Sequence, residues 1–120
     1  MPPTASSGTV LPFDLAAALQ RVDGEVTYIR DMATVFAEDY PSLRDQMREA
    51  LSKHDGQTVA FLAHRLAGSL ASFSAHPAEK AVRILEAQGK GDMSGATQTF
   101  EDVDRRVNEL LDAFRERKLL

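Results

Sequence analysis

Apolar residues recur along this chain at three- and four-residue spacing from about residue 13 onward, and nowhere alternate in twos over the length of a strand. The pattern predicts helices throughout, and six segments can be drawn. Asp14 is placed to cap a short first helix over 15–22, stopped near Gly24. A second, from about Glu25 to Asp39, carries Val26, Ile29, Ala33, Phe36 and Tyr40 on one stripe. Pro41 is expected to end it and to open a third helix bearing Leu43, Met47, Ala50 and Leu51. Asp55-Gly56 breaks that helix, and Asp55 can cap a fourth from Gln57 to about Phe73, with Val59, Leu62, Leu66, Leu70 and Phe73 on its stripe. The fifth opens at Pro77 and closes near Gln88, ahead of Gly89 and Gly91. Asp92 is placed to cap the sixth, where Phe100, Val103, Val107, Leu110 and Phe114 keep the same spacing. Short connections between amphipathic helices predict antiparallel neighbours. The expected fold is all-α: an antiparallel up-and-down four-helix bundle with short additional N-terminal helical segments.

Residues 1–12 have a different texture, rich in Pro, Ser and Gly and poor in large apolar groups. They read as a flexible tail or linker, and 13–120 as one bundle domain. A chain of 120 residues can build a single core without covalent staples. The absence of cysteine excludes a disulfide framework, a thiolate nucleophile and a cysteine zinc site. A net charge of -4 with no basic stripe argues against nucleic acid as a partner. The longest apolar runs are far short of the ~20 residues of a membrane span, which predicts no membrane contact by this chain. No Lys or Arg precedes Arg21, so a signal peptide's charged region is missing, and the expected location is the cytoplasm.

One feature of the fourth helix is not explained by its core stripe. At ~100° per residue, His64 lies ~200° from Leu62 and from Leu66, pointing away from the apolar side. Ala60, Ala67, Gly68 and Ala71 share its face. Glycine inside a helix costs about 0.5–1 kcal/mol relative to Ala, and such a residue often marks close approach of a backbone or a partner. Two readings follow from the face alone. His64 is either an ordinary solvated histidine or a nucleophilic nitrogen on a low, smooth docking patch.

The surrounding residues resemble the histidine-containing phosphotransfer (HPt) domain, of the type found at the C-terminus of hybrid sensor histidine kinases. The family's His-x-Leu-Lys-Gly is matched by His64-Arg65-Leu66-Ala67-Gly68, its Gly-Ala turn by Ser74-Ala75, and its Leu-Glu by Leu85-Glu86. Phe13-Asp14, Ala18-Leu19, Gly24-Glu25, Phe36 and the Asp55 turn extend the likeness. Two positions depart from the pattern: Ala67 stands at the family's Lys, and Ser74 at the glycine of the turn. The resemblance implies that His64 accepts a phosphoryl group from a receiver-domain aspartyl phosphate and passes it to another receiver. The partners would be receiver domains of response regulators or of a hybrid sensor kinase. The chain would then be a phosphotransfer carrier that needs no cofactor of its own, with Mg²⁺ held by the receiver. No glycine-rich nucleotide loop is present to bind ATP. If the fourth and fifth helices fold back about Ala75, Glu86 returns to the height of His64, where it can orient the imidazole; otherwise it is a solvated surface acid. Lys90 and Arg65 are the cations placed to compensate for the missing lysine, Lys90 being favoured because Arg65 projects ~100° away from His64.

Two further classes compete. A degenerate relative that docks or dimerises without phosphoryl chemistry is kept open by Ala67. A metal-binding bundle is disfavoured, since none of His54, His64 and His76 has Glu three residues before it. Hydrolase chemistry lacks both the serine elbow and the zinc His-Glu-x-x-His pair.

Overall fold

A computed structural model of the chain describes residues 11–120. The tail expected over 1–12 therefore falls, but for its last two positions, outside the described residues. Among those described are five helices and no strand: α1 (Leu15–Arg21), α2 (Val26–Ser52), α3 (Gly56–Ser72), α4 (His76–Lys90) and α5 (Ala96–Glu116). They form a helical bundle around one core, in which Val59, Leu62, Leu66, Leu70, Phe100, Val103, Val107, Leu110 and Phe114 are all buried, as their spacing predicts. Phe13, Phe36, Phe73 and Phe114 stack edge-on or tilted at 4.8 to 5.8 Å, so α2, α5 and the residues just before α1 and just after α3 share one aromatic end of the core.

Pro41 does not end a helix. The expected second and third segments are one continuous element, α2, with Pro41 inside it and exposed. The ring removes one backbone donor and crowds the carbonyl a turn earlier, a cost of about 3 kcal/mol. The buried set Ile29, Ala33, Phe36, Tyr40, Met47, Ala50 and Leu51 nonetheless stays in helical phase across the proline. A break there would pull half of that stripe out of the core, and each large apolar side chain contributes about 1.5–3 kcal/mol by burial. The stripe wins. Only α1 then remains as a short N-terminal helix.

Asp14 and Asp55 cap α1 and α3 as expected, accepting from the backbone N–H of Ala17 and Thr58 at 3.1 Å each. Asp92 does not cap α5. Its Oδ1 accepts from Ser94 N–H at 2.9 Å in a local turn, and Gly95, at φ +84°, takes the cap position instead. The turn between α3 and α4 passes through Ser74 at φ +53°, a left-handed conformation that favours glycine. It is held from outside: Arg21 Nη1 donates to the Ala71 carbonyl at 2.8 Å and to Ser74 Oγ, and Asp14 N–H donates to the Ser74 carbonyl at 3.1 Å. α1 thus secures the turn from which α4 runs back along α3. No helix among the described residues is long and apolar enough to cross a membrane.

Candidate functional site

α3 and α4 are the most closely packed pair of helices, and they run antiparallel. At the far end from the turn Gly56 meets Gly89, and midway His64 meets Glu86. His64 leaves 70% of its side chain exposed, while Glu86 beneath it is 12% exposed. Glu86 Oε2 lies 3.0 Å from His64 Nδ1 and 3.4 Å from Lys90 Nζ. Its other oxygen accepts from Arg83 Nη1 at 3.0 Å. One buried carboxylate therefore gathers an imidazole and two cations.

The electrostatics fix the proton arrangement. Partial burial pushes the Glu86 carboxyl up, but the hydrogen bonds from Arg83, His64 and Lys90 outweigh it and hold the group below the ordinary carboxylate range. An ionised carboxylate only accepts. In the neutral ring Nδ1 must then carry the proton it donates to Oε2, which leaves the lone pair on Nε2. Arg83 was not among the residues singled out from the sequence. Its signal was there: Arg and Glu three apart on a predicted helix are neighbours.

The face around His64 is not the symmetrical one that spacing suggests. Ala60 and Ala67 are buried, at 8% and 0% exposure, so the partner-facing role expected for them is not available at those two positions. The physical reason is that α4 covers one flank of the His64 stripe, the flank on which both alanines project. Gly68 is exposed and Ala71 half-buried. An added Cβ at Gly68 would meet no atom within 4 Å, so no packing inside the chain requires glycine there. On the open flank stands Phe61, 62% exposed and one turn before His64, a residue that the angle arithmetic would have placed on this face had the neighbours on both sides been followed. Arg65 lays its guanidinium over the Phe61 ring at 5.9 Å and has no ion pair among the described residues. Past Arg65 a groove of 580 Å³ opens between α2 and α3, lined by Met32, Val35, Leu43 and Ser69.

Of the two cations considered, Lys90 is thus beside the imidazole's carboxylate and Arg65 on an aromatic ring away from it. His54 and His76 are not brought to the site: His54 lies in the turn before α3, and His76 opens α4, 3.8 Å from Glu79. Among the described residues no group of three or more His, Asp or Glu side chains is placed to hold a metal ion.

Comparison with curated proteins and with solved structures gives no match. The family model described as the Hpt domain matches residues 31–117, which takes in most of α2, all of α3 and α4, and α5 with the residue after it. An exposed histidine braced by a carboxylate on the neighbouring helix, set within a match over most of the sequence, places the chain in the Hpt domain family, whose members serve phosphorelays by histidine phosphotransfer.

Proposed function

We infer that His64 is the phosphoacceptor, taking a phosphoryl group from the aspartyl phosphate of one receiver domain and passing it to another. The observation that carries this reading is the 3.0 Å contact between Nδ1 and the ionised Glu86 beneath an otherwise exposed ring. The Nε2 lone pair attacks phosphorus, the P–O bond to the aspartate breaks, and the aspartate leaves as carboxylate. The ring gains positive charge as the N–P bond forms, and Glu86 offsets that charge through Nδ1–H. Phosphoryl transfer asks mainly for alignment and charge compensation, so little else is needed from this chain. Mg²⁺ belongs to the receiver. Lys90 is the cation that compensates the phosphoryl oxygens in place of the missing family lysine, and Arg65 stays on Phe61. The receiver docks on Phe61, Gly68 and Ala71 and on the groove beyond Arg65, a partly apolar surface beside the exposed His64 ring. The partner is a response regulator or the receiver of a hybrid kinase in the cytoplasm.

Incubation with phosphorylated receiver domains tests this. Acid-labile, alkali-stable phosphate should appear on the chain and return to a second receiver. Failure to take up label from any receiver of the source genome would favour the second reading, a docking or dimerisation bundle without transfer, for which buried Ala67 at the family's lysine position is the supporting observation.

A further inference from the structure

Two glycines that spacing alone assigns to helix ends bring the backbones of α3 and α4 together. Gly89 lies inside α4, not beyond it, and Gly56 is the first residue of α3. A Cβ at Gly89 would stand 2.8 Å from the Ala60 amide nitrogen and 2.8 Å from the Gly56 carbonyl oxygen; a Cβ at Gly56 would overlap the Gly89 carbonyl oxygen. Each glycine therefore turns a Cα hydrogen toward the other's carbonyl, and the two backbones touch with no side chain between them. This crossing is next to the site on both helices. Ala60 is one turn before His64, Glu86 is one turn before Gly89, and Lys90 follows it directly.

We propose that Gly89 and Gly56 are positioning residues for the His64 site: their backbone contact sets the separation at which Glu86 reaches Nδ1 and Lys90 reaches Glu86. The proposal rests on His64 being the phosphoacceptor for its effect on transfer, but not for its effect on the ring. Ordinary contact for a Cβ begins near 3.4 Å, so one methyl at Gly89 forces a local displacement of about 0.6 Å. Transmitted in full to the 3.0 Å bond between His64 and Glu86, a displacement of that size would pass the limit at which a hydrogen bond is retained. Glycine here is not the helix terminator it looks like in the sequence. Nor is it interchangeable with Gly68, which faces open space.

The experiment compares Gly89→Ala, Gly56→Ala and Gly91→Ala, the last a change at the neighbouring cap, where a Cβ meets only the Ala87 carbonyl at an ordinary 3.6 Å. Helicity is checked by circular dichroism, and the ring nitrogens of His64 are followed by ¹⁵N NMR in the isolated protein. Gly89→Ala should stay helical, lose the single Nδ1–H tautomer for a mixture, and slow phosphotransfer about tenfold. Gly91→Ala should change neither. Gly56 is the other half of the same contact, so Gly56→Ala keeps the test open should Gly89→Ala fail to fold, and it should shift the ring signals in the same direction. Unchanged His64 signals in a folded Gly89→Ala or Gly56→Ala protein would overturn the proposal. Altered signals with no transfer even in the wild type would instead sink the reading of His64 as phosphoacceptor, and leave the positioning role standing.

Discussion

Glu86 shows why one carboxylate can serve both the ring and the fold. Burial alone would drive it toward the neutral form, in which it could donate to the imidazole and leave the tautomer undefined. Three donors reverse that balance and keep it ionised. The sign of the pH dependence follows. A carboxylate whose folded pKa lies below its unfolded value adds stability that is fully present above the ordinary range near ~4.3, and that is lost as pH falls through the lowered folded value. Urea midpoints of wild type and Glu86→Gln, taken from neutral pH downward, should therefore differ above about pH 4.3 and converge below it. A gap that grew below about pH 4.3 would mean that the carboxylate is held neutral in the folded protein. Glutamine can still accept from Nδ1–H through its amide oxygen, so Glu86→Gln should keep more transfer than Glu86→Ala. Direction alone favours Lys90 over Arg65 in the sequence, and in the fold Lys90 lies beside Glu86 while Arg65 lies over Phe61.

At the scale of the helix, what was legible was phase and what was not was priority between rules. The stripes of α3 and α5 are buried as their spacing predicts, because nothing in either segment competes with it. In α2 two rules met at Pro41, a local breaker and a long apolar phase, and reading the breaker first divided one helix into two. The same happened at Gly89, where a residue read as a stop is a contact. A one-sequence reading sees that glycine lacks a side chain but not which backbone lies opposite. Ala60 and Ala67 were misplaced for a related reason: a helical wheel gives direction, and only the position of α4 decides which half of the face is covered. Pro41 gives a direct check. Pro41→Ala restores an intrahelical hydrogen bond and removes the ring's clash, while giving the unfolded chain slightly more freedom. The variant should gain about 2 kcal/mol, raise the unfolding midpoint and leave the cooperativity unchanged. A loss of stability would mean that the proline shapes α2 rather than burdening it.

Across the whole molecule, α2 is tied to α5 by a polar contact. Tyr40, buried at 3% exposure, donates its hydroxyl to Asp104 Oδ1 at 2.7 Å, and Arg48 reaches Asp104 at 3.5 Å and Glu101 at 3.6 Å. Burial, then the bond to Asp104 and its charge, push the phenol far above its ordinary value. A raised folded pKa adds stability that is complete below the unfolded value near ~10 and that is lost as pH rises beyond it. Wild type should therefore weaken steeply above about pH 10, and Tyr40→Phe, less stable by about 1 kcal/mol at neutral pH, should weaken less. Equal alkaline slopes would show that Tyr40 is not the group responsible. The bundle, its clamped turn and its glycine crossing all converge on one nitrogen, and the most direct test is there. His64→Gln, His54→Gln and His76→Gln are each incubated with a phosphorylated receiver, and the label on the chain is measured. His64 is exposed, so its replacement should leave the unfolding midpoint close to wild type while abolishing uptake, and the other two variants should take up label as wild type does. Label retained by a folded His64→Gln protein would contradict the account.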